Sequence, residues 1–233
     1  MNNSKQINKK FEPVCAVIPF YNEKETLKKI LEETSNYVNY IFAVNDGSTD
    51  DLYSDESELD GVECIKLEKN YGKGKALSVG FEKAISSGFQ YVITLDADLQ
   101  HDPQYIPKLL DAVSIYDLVI GNRLNNLVGM PIQRRASNKL TSILLTVKTG
   151  QNILDSQCGF RAYRIDVLKE VKTKNFGFEA ESEILIKAAK RKFRIGFTDI
   201  PTVYGNEKSK MRPLMAIVGF LKVLFSKSDE QFY

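Results

Sequence analysis

The chain has 233 residues, 43% of them apolar and 27% charged, enough for one or two cores and unlike a disordered or fibrous chain. Its 32 Lys+Arg nearly balance 30 Asp+Glu, yet residues 1–120 carry 12 basic against 20 acidic side chains, and residues 121–233 carry 20 against 10. All eight arginines, Arg123, Arg134, Arg135, Arg161, Arg164, Arg191, Arg194 and Arg212, lie in the second half. Such a split suits a site with a cation on one side and phosphate on the other, although two solvated surfaces of opposite sign would read the same.

No apolar run reaches the ~18–20 residues of a membrane span. The closest, Leu214 to Phe225, is interrupted by Lys222. The segment Met1 to Lys10 is polar and lysine-rich, unlike a secretory signal. Cys15, Cys64 and Cys158 are widely spaced, form no CxxC pair and read as reduced thiols. His101 is the only histidine, which argues against hydrolase triads. The expected setting is a reducing cytoplasm, and the overall charge gives no footprint for nucleic acid.

In chain order, Val14 to Phe20 reads as a strand and Glu25 to Thr34 as a helix. Tyr40 to Val44 and Val62 to Leu67 follow as strands, and Lys75 to Ser86 as a helix. Tyr91 to Leu95 is a strand, Pro103 to Val113 a helix, and Leu118 to Ile120 a short strand. Strands alternating with helices predict βαβ units and an α/β fold with a mostly parallel sheet. The second half is less regular. Gln133 to Lys148 predicts an amphipathic helix with Leu140, Ile143, Leu144 and Val147 on one face. Phe160 to Tyr163 and Arg194 to Ile200 predict strands; Glu181 to Arg191 and Leu214 to Phe225 predict helices.

Ligands of open α/β sheets bind beyond the carboxyl ends of the strands. Each of the first five expected strands ends there in polar sequence. These are Pro19-Phe20-Tyr21-Asn22-Glu23, Asp46-Gly47-Ser48-Thr49-Asp50, Lys69 to Lys75, Asp96-Ala97-Asp98-Leu99-Gln100-His101, and Asn122-Arg123. Two carboxylates separated by one residue, Asp96 and Asp98, can turn together toward Mg²⁺ or Mn²⁺. The alternative is a plain turn in which Asp98 or Asp102 caps the next helix. Asp46 can bond a base or ribose, and Tyr21 can lie beside a base; both also suit ordinary loops. Lys69 to Lys75 resembles a phosphate-holding loop, but there is neither a Walker A sequence nor Gly-x-Gly-x-x-Gly after the first strand.

Taken together, Pro19-x-Tyr21-Asn22-Glu23, Asp46-Gly47-Ser48-x-Asp50, Asn70-x-Gly72-Lys73-Gly74 and the Asp96 to His101 run resemble the inverting glycosyltransferases of family 2. Gly121-Asn122-Arg123, Arg135-x-Ser137, Cys158-Gly159-Phe160-Arg161 and Ser209-Lys210 are similar to its dolichyl-phosphate mannose synthase branch, which includes bacterial polyprenyl-phosphate enzymes. The resemblance implies a GT-A fold, a Rossmann-like mostly parallel sheet flanked by helices, with a less regular acceptor half. It implies one domain over 1–233. About 11–125 would take the nucleotide sugar and metal, about 126–212 the acceptor, and 213–227 would form a terminal apolar helix.

By the same resemblance, Pro19, Tyr21, Asn22, Glu23, Asp46, Ser48, Lys73, Asp96 and Ala97 would meet a GDP- or UDP-linked sugar. Asp96, Asp98 and Gln100 would hold Mg²⁺ or Mn²⁺. Arg123, Arg135, Ser137 and Lys210 would meet phosphate of the donor or of a lipid acceptor. Asp98, Arg123, Arg135 and Glu181 would carry catalysis. An ionised lipid phosphate needs no general base; a hydroxyl acceptor needs one, from Glu181, Glu179 or Asp155. The implied enzyme is cytoplasmic and peripheral at the inner face of the membrane, with the terminal helix in the interface or docked on protein. Departures from the pattern are Asn45 in place of a first Asp, and a long Tyr204 to Lys210 stretch. A glycosyltransferase acting on a glycan hydroxyl, and a non-catalytic nucleotide-binding module, are the competing readings. A DxD phosphatase and a nucleotidyltransferase fit less well, because the DxD follows the fourth strand and no Gly-rich stretch follows the first.

Overall fold

The computed structural model describes residues 13–50, 59–125, 130–201 and 213–226. Its seven-stranded sheet comprises β1 (Val14–Phe20), β2 (Tyr40–Asn45), β3 (Val62–Lys66), β4 (Tyr91–Thr94), β5 (Leu118–Asn122), β6 (Arg161–Arg164) and β7 (Ile195–Asp199). The order is β3-β2-β1-β4-β6-β5-β7. Every neighbouring pair is parallel except the two that involve β6. The helices are α1 (Lys24–Ser35), α2 (Lys73–Ser86), α3 (Ile106–Val113), α4 (Ile132–Thr149), α5 (Ile165–Glu170), α6 (Glu179–Lys190) and α7 (Pro213–Phe225).

All seven residues of β1 are buried, as a central strand covered on both faces requires. Pro19 sits in that strand without a penalty: the ladder to β4 ends at Val17 opposite Thr94, so no partner waits for the missing N–H. Leu27, Ile30 and Leu31 of α1, and Ala76, Leu77, Phe81 and Ala84 of α2, face the core at helical spacing.

Three expectations need correction. Pro103–Tyr105 is a 3-10 turn, with Asp102 accepting the Gln104 N–H, and α3 starts only at Ile106. Pro107 favours this late start because its ring lacks the N–H that would bond back into that turn. A short helix, α5, follows β6 unannounced; only three of its six residues, Ile165, Val167 and Leu168, are buried, too few for a periodic signal. The third correction concerns α4. Its buried residues are Asn138, Ser142 and Leu145, while Ile132, Leu140, Ile143 and Val147 are 79%, 59%, 51% and 80% exposed. Of the expected stripe, Leu140, Ile143 and Val147 face outward and Leu144 packs partly against the core.

The antiparallel β6 matters most for the site. Thr94, the last residue of β4, pairs with Arg161, the first of β6. The segment Cys158–Arg161 therefore enters the sheet at the edge where β1, β2, β4 and β5 end.

Candidate active site

The loops after β1 and β2 interlock. Asn22, at φ 54°, accepts the Thr49 N–H through Oδ1 at 2.8 Å, and its own N–H reaches Ser48 Oγ at 2.9 Å. Asp50 Oδ2 accepts the Lys24 N–H at 3.1 Å, at the start of α1. Asn45, fully buried, accepts the Ser48 N–H at 2.7 Å. Pro19, Tyr21, Asn22, Glu23, Asp46 and Ser48 are thus brought to one sheet edge, with Pro19 and Asp46 buried and the others half-buried. Asp46 also accepts the Tyr71 and Gly72 N–H groups, each at 2.8 Å, so one carboxylate fixes the loop that begins α2. Burial raises its pKa above the ordinary carboxylate value, opposed by those two donors.

Gly72 precedes α2 at φ 106°, and a Cβ there would lie 2.4 Å from the Phe176 carbonyl oxygen. Only glycine gives the chain that turn and that approach. The turn sends Lys73 inward. Its ammonium lies 2.7 Å from Asp96 Oδ1 and 3.2 Å from Glu181 Oε2. Burial alone would favour loss of its proton, but the Asp96 and Glu181 charges outweigh burial and hold its pKa above the usual lysine value. Burial likewise disfavours the Asp96 carboxylate, and the Lys73 charge outweighs it, so Asp96 titrates below its ordinary range. A Cβ at Gly159 would lie 2.7 Å from both Asp96 Oδ2 and Lys73 Nζ; the bare backbone leaves room for this pair.

Glu181 is also 3.6 Å from Arg161 Nε. Arg161 is fully buried and donates to the carbonyls of Cys158, Ser156 and Glu181. Glu181 therefore faces two cations of the protein rather than open solvent. Neither the Lys73–Glu181 pair nor the Arg161 anchor is visible in the sequence: the first joins residues more than a hundred positions apart, and the second is set by how the chain turns into β6. Glu183 was missed too. It accepts the Lys174 and Asn175 N–H groups and the Lys187 ammonium, and so ties down the loop whose Phe176 carbonyl meets Gly72. The i,i+4 spacing of Glu183 and Lys187 was the available signal.

In the Asp96-Ala97-Asp98 run, Ala97 is buried, and Asp98 accepts the Gln100 N–H at 3.1 Å across Leu99, which is at φ 59°. This tight turn ties Gln100 to Asp98, two residues beyond Asp96. Two carboxylates and one amide oxygen form a hard, oxygen-only set that fits Mg²⁺ or Mn²⁺. Among the described residues, no three His, Cys, Asp or Glu side chains group as a metal cage. His101 lies inside, its ring 5.5 Å from that of Phe160 and its Nε2 3.8 Å from Cys158 Sγ. Burial, reinforced by the Arg123 charge, pushes its pKa down to about 3, so the ring is neutral near pH 7.

Arg123 leaves β5 at the same edge. It meets Asp155 through Nε at 2.7 Å and Nη2 at 2.9 Å, and its backbone N–H meets the same carboxylate at 3.2 Å. Asp155 has no exposed surface. The expectation that it is a candidate base gives way to that of a clamp, because both oxygens are turned onto Arg123. Arg135, in the first turn of α4, donates from Nε to the Met130 carbonyl at 2.9 Å. Ser137, two residues further on, is exposed. Lys210, with Ser209, Arg212 and the Tyr204 to Lys210 departure, lies outside the described residues.

The model of glycosyl transferase family 2 matches residues 15–172. A UDP-N-acetylglucosamine–dolichyl-phosphate N-acetylglucosaminyltransferase of Methanococcus voltae is 32% identical, over 89% of this chain and 92% of its own. An undecaprenyl-phosphate mannosyltransferase of Micrococcus luteus is 29% identical, over 84% of this chain and 86% of its own. Among solved structures, glucosyl-3-phosphoglycerate synthase of Mycobacterium tuberculosis, crystallised with Mn²⁺, UDP and phosphoglyceric acid, superposes with a TM-score of 0.68. It is 20% identical and the match covers 91% of this chain and 78% of that one. That likeness establishes the GT-A fold. The chain belongs to glycosyl transferase family 2 and is a glycosyltransferase.

Proposed function

We propose that this protein transfers a sugar from a nucleotide sugar to a polyprenyl phosphate, with inversion at the anomeric carbon. The observation that carries the reading is one sheet edge holding two devices. One is the Asp96–Lys73 pair on the donor side; the other is Arg123, clamped by buried Asp155, on the acceptor side. The lipid-phosphate acceptors named for the relatives above support the same substrate class.

In this mechanism an oxygen of the acceptor phosphate attacks the anomeric carbon. The bond from that carbon to the nucleoside diphosphate breaks, and its electron pair leaves on the diphosphate. Pro19, Tyr21, Asn22, Glu23, Asp46 and Ser48 hold the nucleoside, with Ala97 beneath. Asp96, Asp98 and Gln100 would hold Mg²⁺ or Mn²⁺, which when bound supplies positive charge to the diphosphate. Lys73 adds an ammonium beside Asp96. Arg123, Arg135, Ser137 and Lys210 receive the acceptor phosphate, a task that suits the arginine fork. The phosphate oxygen arrives ionised, so no base is required. Glu181 then acts on Lys73 as a positioning residue. A hydroxyl acceptor would need a base and is the weaker reading, because Glu181 already faces Lys73 and Arg161.

The whole chain acts as one domain in this reading, with about 11–125 on the donor side and about 126–212 on the acceptor side. It works peripherally at the cytoplasmic face of a membrane. Among the described residues no helix is long and apolar enough to cross one. The outward apolar stripe of α4 starts beside Arg135, and α7 exposes Ile217, Val218, Leu221 and Phe225. Stripes of this kind lie in a lipid interface with basic residues at headgroup level.

The test is a panel of GDP- and UDP-sugars with Mg²⁺ or Mn²⁺ and a polyprenyl phosphate. Transfer from one donor is expected, and no transfer from any overturns the reading. A loss above a hundredfold in Glu181→Gln, without loss of fold, would instead favour the hydroxyl acceptor.

A further inference from the structure

We infer that Asp199, at the end of β7, is a positioning residue that sets the acceptor-side turn carrying Arg123. This rests on the proposed transfer to a phosphate acceptor. β7 pairs with β5 in parallel, with Asp199 opposite Asn122. Asp199 Oδ1 accepts from Asn122 Nδ2 at 2.7 Å and from Asn125 Nδ2 at 2.8 Å. A single carboxylate oxygen thus grips residues on both sides of Arg123.

The grip is relayed into the backbone. With its Nδ2 held by Asp199, Asn122 presents Oδ1 to the Leu124 N–H at 3.2 Å. The Asn122 carbonyl in turn accepts the Ile200 N–H at 3.1 Å, next to Asp199. Asp199 is itself anchored, since Lys108 of α3 donates to its carbonyl at 2.7 Å. Asp155 holds the Arg123 guanidinium itself. The side-chain fork and its backbone turn therefore have separate anchors, Asp155 for the first and Asp199 for the second. Arg123 has one fixed approach to an incoming phosphate only when both are in place. Nothing near Asp199 in the sequence marks it; it follows an alternating strand and precedes Pro201.

The two accepted bonds converge on the same oxygen, which makes the test specific. Asp199→Asn keeps one carbonyl oxygen to accept both bonds, while losing the charge and exchanging the second oxygen for an amide nitrogen. Asp199→Ala removes the acceptor. Expected are a rise of at least tenfold in the KM for polyprenyl phosphate in Asp199→Ala, a donor KM within twofold, and values within about threefold in Asp199→Asn. Asn125→Ala combined with Asp199→Ala should be no worse than Asp199→Ala alone. Amide hydrogen exchange at Leu124 gives a readout free of activity: at least tenfold faster in Asp199→Ala, near wild type in Asp199→Asn. Unchanged Leu124 exchange in Asp199→Ala overturns the inference, as does an equal rise in donor and acceptor KM. Wild-type protein that transfers to no polyprenyl phosphate defeats the proposed function instead, and Leu124 exchange still decides the role of Asp199.

Discussion

The Arg123–Asp155 clamp separates an orienting carboxylate from a catalytic base, and Asp155→Asn is the change that asks the question. The pair is bidentate, Asp155 is wholly inaccessible and the Arg123 side chain is 10% exposed. Removing one partner of such a buried pair leaves an uncompensated charge and costs about 3–5 kcal/mol. For a chain of this size each kcal/mol moves the thermal midpoint by roughly 2–4 °C. The expected fall is therefore about 6–20 °C, read by calorimetry or circular dichroism. A guanidinium that loses its fork also loses its aim, and a misplacement near 1 Å can cost about a hundredfold in turnover. Transfer to the phosphate acceptor should fall on that scale, measured well below the new midpoint. A base would behave differently: turnover would drop with the midpoint unmoved. An Asp155→Asn variant with unchanged midpoint and full transfer would refute the clamp outright.

Three further predictions follow from other contacts. Gly159→Ala puts a methyl group 2.7 Å from Asp96 Oδ2 and Lys73 Nζ, so donor binding and Mn²⁺ affinity should each weaken at least tenfold, read by isothermal titration. Glu183 has a pKa below its ordinary 4.5: burial opposes the charged form, but bonds from Lys187 and Asn175 outweigh it. Its stabilisation is present above pH 4.5 and is lost as pH falls through the lower folded value; Glu183→Gln should flatten that acid limb of a thermal-midpoint profile. Replacing Ile143 and Val147 of α4 by Asp should abolish co-sedimentation with anionic vesicles while leaving the thermal midpoint within about 2 °C, because both side chains are already exposed.

The sequence by itself carried the strands, most helices, the parallel character of the first half and the polar ends of five strands. Those features are local, since side-chain period, turn residues and strand length are all set within a few positions. The motifs Pro19 to Glu23, Asp46 to Asp50 and Asp96 to His101 pointed to one shared edge for the same reason. Charge signs were legible as well, but their partners were not. Lys73 finds Glu181, Arg123 finds Asp155, and Asp199 finds Asn122 and Asn125 across long stretches of chain. Only the tertiary structure decided these pairings: β6 turns antiparallel and brings Cys158–Arg161 to the edge where β4 ends, and the parallel β5–β7 register sets Asp199 opposite Asn122. It also decided which way α4 faces. Period 3.6 defines an apolar stripe but not its direction, and the buried face bears Asn138, Ser142 and Leu145, with Ser142 bonded to Ser156. The near-neutral total charge concealed an acidic first half and an arginine-bearing second half. The fold joins them at one sheet edge, where Lys73 crosses from the first half to Glu181 of the second.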